Sequence, residues 1–414
     1  MINEKLINTF FDSLPEIYQG RINTCVEKIV KAKQQNQKIA VVTGSGPNIH
    51  EGVTTLIAEL IHKGIVDGVL TSSAVIAHEM AGSLDKVKRV VVDSELINYL
   101  LLKSKKNFKN SLPKGDIFEL TILDENELEE ISLEVNDLDL ELINLLKRKE
   151  GSIIIKAAGN MAYPMGLRTE RLAEEILKIC NSQLNRKYPF EYIAGLGADS
   201  RTMIGAAVEK NIPVMVSIPQ LIGGGAVGLC IGDSISIHDR CMVNAKILGD
   251  SEIIIESGIA LAQEIHDGPF ETYTGHGIWA SFHNNYVFSL KNKTLIRIDL
   301  DSNLEKAWEF ERQFSLVQQA VDQGRPKTKL TGVPFRMEMS GFSRLESSIP
   351  IIGDLGEIWP IIGLYVSRDL GIKLDFMCYK QETNEGQKMR EFIVENVNFI
   401  NKNKLYSKIE NLKI

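Results

Sequence analysis

The sequence predicts an α/β fold, a parallel sheet covered by helices and followed by a smaller α+β C-terminal portion. Short β-branched apolar runs alternate repeatedly with amphipathic stretches between residues 38 and 255. The runs lack polar alternation, which suits strands buried on both faces. Almost every run ends in Gly, Ser, Thr or Asn, so small polar residues collect at one edge of the sheet.

Residues 37–79 form the clearest unit. Residues 38–42 read as a buried strand, broken by Thr43, Gly44, Ser45, Gly46 and Pro47. A helix follows, with Val53, Leu56, Ile57, Leu60 and Ile61 on one face and Gly64 placed as its C-terminal cap. Residues 66–70 are a second strand, ending in the hydroxyl run Thr71, Ser72 and Ser73. A glycine turn ahead of a helix N-terminus suits a phosphate, so the unit reads as a Rossmann-like nucleotide cradle. The alternative is a structural βα turn. The glycine after Gly44-x-Gly46 is Gly52, so the dinucleotide spacing G-x-G-x-x-G is not met, and no Gly-Lys-Ser/Thr makes it a Walker loop.

Around this unit, residues 1–36 read as helices placed to pack on the sheet or on a partner subunit. Further strands are expected at 88–92, 151–157, 192–197, 212–218 and 252–255, and helices at 95–102, 124–141, 169–183, 202–210 and from 238 to 248. Beyond 284 the texture changes. A hairpin is expected from 286–290 and 294–298, a helix over 302–323, a loop-rich stretch from 325 to 348, a buried helix at 357–370, a strand at 373–377 and a helix at 387–399. The organisation expected is N-terminal helices (1–36), a nucleotide-binding core (37–284) and an α+β extension (285–414) that completes or caps it.

The chain has 414 residues, 44% of them hydrophobic and 24% charged, which is ordinary for a soluble globular protein. A net charge of −7 without a basic stripe argues against nucleic-acid binding. No 18-residue apolar run suggests a membrane span, and the N-terminus lacks the apolar region of a secretory signal. Five scattered cysteines without a C-x-x-C suggest reduced thiols and a cytoplasmic protein.

The densest polar group is 262–277, which holds Glu264, His266, Asp267, Gly268 and His276. With His283 it could do acid/base work, or serve only as a hydrogen-bonded loop. No HExxH or CxxC supports a metal. His238, Asp239 and Arg240 form a second polar group, although sequence neighbours point apart on a helix. No G-x-S-x-G elbow is present, and Cys230 and Cys241 read as buried cysteines before nucleophiles.

The order of these pieces resembles the deoxyhypusine synthase fold family, an NAD-binding relative of the Rossmann fold. The run from Gly52 to Ser72 is similar to that family's first helix and second strand. The family's Thr-Thr-Ala-Gly-Gly stands here as Thr71, Ser72, Ser73, Ala74 and Val75. Lys210, Asn211, Ile212, Pro213 and Val214 resemble its entry to a later strand. Its Ala-Gln-Glu-Phe-Asp-Gly is matched by Ala262, Gln263, Glu264, Ile265, His266, Asp267 and Gly268, with one residue added. The family's imine-forming lysine has no counterpart, because Gly223, Gly224, Gly225, Ala226 and Val227 lead into Gly228. An imine needs an amine nucleophile, so lysine-based transfer is not expected.

The opening unit is also similar to the archaeal-type ornithine cyclodeaminase group of the same fold. Thr43-Gly44-Ser45-Gly46-Pro47 stands against its Thr-Gly-Ala-Gly-Pro, and Ala77-His78-Glu79 against its Val-His-Asp. The resemblance implies bound NAD and a small amine or amino-acid substrate from which a hydride is transiently removed. It implies Gly44, Ser45, Gly46, Ser72 and Ser73 at the phosphates and ribose, and Glu264, Asp267 and Gly268 as further cofactor contacts. His78, Glu79, His238 and Asp239 are the acid/base candidates. A homo-oligomer is implied as well. The rival readings are an aminoalkyl transferase without the usual lysine and a nucleotide-binding protein without turnover.

Overall fold

The computed structural model describes residues 2–44, 46–91, 117–123, 137–159, 162–217, 224–258, 292–310 and 347–412, with isolated positions at 129, 219, 290, 312, 319, 322–325 and 332–333. Two helices open the chain, α1 (Glu4–Ser13) and α2 (Glu16–Gln34). Then come β1 (Lys38–Thr43), α3 (Pro47–His50), α4 (Val53–His62), β2 (Gly68–Thr71) and α5 (Ser73–Met80). An inserted unit follows, with β3 (Leu84–Val91), β4 (Ile117–Thr121), α6 (Asp137–Arg148) and β5 (Ser152–Ala157). Next are α7 (Met165–Lys178) with a π-helical turn at Ile179–Gln183, α8 (Phe190–Gly197), α9 (Met203–Lys210) and β6 (Val214–Val216). The remainder is α10 (Gly225–Ser234), α11 (Ile237–Asp250), β7 (Ser251–Ser257), β8 (Thr294–Asp299), α12 (Asn303–Glu309), β9 (Ser348–Ile352), α13 (Leu355–Asp369), α14 (Asn384–Asn396) and α15 (Lys402–Leu412).

Six strands form one sheet in the order β6-β2-β1-β7-β8-β9, and every neighbouring pair is parallel. Ranked by their appearance in the chain, the order is 3-2-1-4-5-6. The chain steps outward from β1 through β2 to β6, then crosses back to lay β7 on the other side of β1. The strand order therefore reverses between β1 and β7.

Both faces are covered, which accounts for the unalternating strand sequences. Ile39, Val41, Val69, Ile253, Ile255 and Ile296 pack one way, with Ile29 of α2, Leu56 and Ile57 of α4, and Trp359 and Ile362 of α13. Ala40, Val42, Leu70, Ile254 and Leu295 pack the other way, with Leu248 of α11 and Leu304 and Ala307 of α12. The opening helices thus pack within the chain, α2 against β1 and β9 and α1 against α13.

Several expectations need correction. Residues 192–197 are not a strand but α8, entered from Pro189. Its glycines serve close helix packing. A Cβ on Gly195 would meet the Ile204 carbonyl oxygen of α9 at 2.4 Å, and one on Gly197 would meet Leu405 of α15 at 2.8 Å. The runs near 88–92 and 151–157 are strands, yet they lie outside the parallel sheet. β3 pairs antiparallel with β4 and β5 in a separate three-stranded sheet. β5 is half-exposed there rather than buried, with Ile153 at 64% exposure. β8 pairs in parallel with β7 on one side and β9 on the other, and most of the first strand of the expected hairpin, residues 286–289, lies outside the described residues. Residues 373–377 form no strand, and the helix after residue 302 is described continuously only to Glu309. The expected helix at 95–102 lies outside the described residues. No helix of the described residues is long and apolar enough to cross a membrane.

Candidate functional site

In open α/β sheets, ligands sit outside the carboxyl ends of the strands where the strand order reverses. Here that place is the end of β1 beside the end of β7. β1 ends at Thr43 and runs into buried Gly44. Gly46 adopts φ 70° and ψ −121°, a setting that strains an L side chain. A Cβ there would meet nothing within 4 Å, so the turn presents bare backbone to open space. Pro47 then starts α3, which suits a residue without an N–H. α3 lasts only four residues before Gly52, at φ 72°, breaks it from α4.

A buried hydrogen-bond chain fixes the two strand ends. Asn48 Nδ2 donates to the Ser257 carbonyl at 3.0 Å, and Ser257 Oγ donates to Asn48 Oδ1 at 2.5 Å. Trp359 Nε1 of α13 donates to Ser257 Oγ at 2.8 Å. All three residues are almost fully buried. This pin holds the turn after β1 against the last residue of β7 and so sets the mouth of the crevice. Thr43 and Thr71, the last residues of β1 and β2, have buried hydroxyls with no hydrogen-bond partner.

The inserted sheet sits over this edge. α5 leaves directly from the carboxyl end of β2, and α3 packs against β5. His78 on α5 meets Gly159 just beyond β5, where a Cβ would lie 3.2 Å from His78 Nδ1. That Nδ1 is buried and has no hydrogen-bond partner. Burial, with His50 of α3 and Lys156 of β5 adding to it, pushes His78 down to about 4. His50 is held below its ordinary value by burial, then by Arg390 and Lys156. Arg390 of α14 donates through Nη2 to the Ile155 carbonyl, and Lys156 pairs with Glu119. His50, His78, Lys156 and Arg390 thus gather from four separate elements.

His78 gives a pH signature. The folded chain takes up the proton later than the unfolded chain, so this group lowers stability as pH falls from about 6.5 to about 4, by roughly 3 kcal/mol. Glu79 and Asp85, both pushed up to about 7 by burial, act in the opposite sense, their contribution fading as pH rises through that value. The variant His78→Gln removes only the first effect. It should lose roughly 3 kcal/mol less than the wild type between about pH 7 and pH 4 in urea titrations. Equal losses in the two proteins would contradict the placement of His78.

The other expected residues fall in different places. Glu79 points away from the crevice and is fully buried. Its carboxylate accepts from the N–H groups of Met203 at 2.8 Å and Ile204 at 3.1 Å, capping α9. Ser72 caps α5 through the Val75 N–H at 3.4 Å, and Ser73 is buried in the first turn of that helix. His238 and Asp239 lie in the first turn of α11, His238 half-buried and Asp239 exposed. Ser236 caps this helix, its Oγ accepting from Asp239 N and donating to Asp239 Oδ2 at 2.6 Å. Ser45, Glu264, Asp267, Gly268, His266, His276 and His283 lie outside the described residues. No disulfide joins the five cysteines, and burial raises the Cys230 thiol to about 11, far from a thiolate. Among the described residues, no group of three His, Cys, Asp or Glu could hold a metal ion.

Sequence reading missed Asn48, His50, Lys156, Gly159, Ser257 and Arg390. Only Asn48 and His50, a few residues past the glycine turn, carried a local signal. The residues present fit the pyrophosphate of a dinucleotide, because Gly46 presents bare backbone at the reversal point and the buried hydroxyls at the ends of β1 and β2 lack partners. At the end of β2, hydroxyls stand where a ribose-binding carboxylate is common.

No protein-family model matches the chain, and no curated protein does. Solved structures similar to it include an LOR/SDH-type protein from Methanococcus maripaludis S2, with TM-score 0.40, 11% identity, 86% of this chain covered and 69% of that one. AgrE in ternary complex with ornithine and NAD+ aligns with TM-score 0.38 and 12% identity over 87% of this chain and 34% of AgrE. A deoxyhypusine synthase-type protein from Entamoeba histolytica aligns with TM-score 0.36 and 11% identity over 90% and 94%. The chain thus spans about a third of AgrE, and none of these likenesses assigns chemistry to it.

Proposed function

We propose that the chain is an NAD-dependent enzyme acting on a small amine or amino acid by transient hydride transfer. The observation that carries this reading is the 3-2-1-4-5-6 strand order, which sets the Gly46 turn at the reversal point. Gly44, Ser45 and Gly46 would take the pyrophosphate, and Ser72 and Ser73 the ribose. Glu264, Asp267 and Gly268 are proposed to complete the cofactor contacts. Bound NAD would accept the hydride from a carbon bearing an amine or hydroxyl.

His78 is the acid/base group of choice over Glu79, His238 and Asp239. It is neutral at physiological pH, and its Nδ1 faces the Gly159 turn without a partner. It would receive the proton released from nitrogen or oxygen as the hydride departs. The neighbouring His50, Lys156 and Arg390 favour a substrate carboxylate there, and that negative charge would raise the proton affinity of His78.

The test is rapid mixing of NAD-saturated protein with a panel of amines, amino acids and hydroxy acids, following the reduced-nicotinamide absorbance. A transient reduction is expected for at least one compound. His78→Asn should slow it by about 10²- to 10⁴-fold while NAD still binds. No reduction with any compound would sink the enzymatic reading, and full rate in the variant would remove His78 from it.

A further inference from the structure

A separate cavity lies next to the linker that binds the C-terminal end of α5. Its volume is about 740 Å³, within the range of small-molecule sites. It is bounded by the end of α8 with the turn after it, by the linker from α14 to α15, and by α7. Four cations line it: Arg168, Arg201, Lys402 and Lys404. Asp199 is the one carboxylate in the lining, and both its oxygens are engaged. Its Oδ1 accepts from the Arg201 N–H at 2.9 Å, and its Oδ2 from Asn398 N at 3.2 Å and Nδ2 at 3.3 Å. The lining therefore carries four cations to one carboxylate, with Arg201 paired to Asp199 at 3.4 Å and Lys404 to Glu209, outside the lining, at 3.8 Å.

The cations are held in place. Arg168 is almost fully buried, its guanidinium 4.1 Å from the centre of the Phe399 ring. Lys404 Nζ donates to the Ala198 carbonyl at 3.0 Å, and Lys402 is tethered at the rim by Glu175 at 3.5 Å. Ser200, Asn401 and Asn403 add neutral donors. We propose that this cavity binds the phosphate group of a small phosphorylated metabolite, since such a group matches several charged donors converging in three dimensions.

The position suggests an effector site. The Ile400 N–H donates to the Met80 carbonyl at 3.0 Å, and Met80 ends the helix that carries His78. Phe399 packs with Ala81 and Ala158, and Ala158 adjoins the Gly159 that touches His78. A ligand held here braces α5.

The test is a calorimetric titration of the full chain with inorganic phosphate in chloride buffer, with and without saturating NAD. Saturable binding is expected both with and without NAD. It should weaken about tenfold or more in the double variant Arg201→Gln/Lys402→Gln, and independently in Lys404→Glu. Absence of saturable binding by the wild type, equal affinity in folded variants, or displacement of phosphate by NAD would each overturn the proposal.

Discussion

Replacing Arg240 with methionine is expected to destabilise the fold by about 3–5 kcal/mol, because it strands a buried carboxylate. Glu191 of α8 is fully buried, and Arg240 of α11 nearly so. Arg240 Nη1 donates to Glu191 Oε1 at 2.5 Å and to the Val216 carbonyl at 3.1 Å. Its Nη2 donates to the Ile231 carbonyl at 2.7 Å and to Ser234 Oγ at 3.2 Å. Glu191 also accepts the Val216 N–H at 2.8 Å. The pair therefore ties the end of β6 to three helices, and β6 is an edge strand of only three residues. Denaturant titration of Arg240→Met against Arg240→Met/Glu191→Leu measures the effect. The double variant should recover much of the loss, since an apolar pair leaves no uncompensated charge. A loss under about 1 kcal/mol in the single variant would show that the pair is not the anchor described.

Gly46→Val is expected to abolish nucleotide binding and to cost about 1–3 kcal/mol of stability. The strain follows from φ 70°, which a β-branched residue adopts poorly. The binding loss follows from direction, because the added side chain would occupy the open space in front of the turn. Gly64 makes a matched control, with φ 73° and equally open surroundings at the end of α4. Gly64→Val should show similar destabilisation with NAD affinity intact. If both variants bind NAD as the wild type does, the turn at Gly46 is not the phosphate site.

Much of the sheet was legible because buried parallel strands and their caps have local signatures. β1, β2 and β7 declare themselves as short β-branched runs, and Gly64 closes α4 as expected. Partner choice is another matter. The valine-rich run expected at 88–92 looks the same whether it joins a parallel sheet or an antiparallel one, and only tertiary pairing put it with β4 and β5. β9 was hidden by Pro350, which a central strand would reject but this edge strand accommodates. α8 was mistaken because Tyr192 and Ile193 favour strands, whereas close packing on α9 and α15 decided otherwise.

The candidate site shows the same division. Gly44, Gly46 and His78 were visible because a turn and a short motif carry them. Lys156, Gly159 and Arg390 were not, since residues distant in the chain meet them only after the inserted sheet folds over the carboxyl edge. Glu79 stood next to His78 in sequence, yet one step along a helix turns a side chain by about 100°, enough to bury it under α9. Asp239 likewise serves a helix start through Ser236.

The central claim is that the reversal between β1 and β7 is a dinucleotide site. Calorimetric titration of the wild-type chain with NAD tests it most directly. Saturable binding is expected, lost in Gly46→Val and kept in Gly64→Val. A folded wild-type chain that takes up no NAD, and whose melting temperature NAD does not raise, would contradict it.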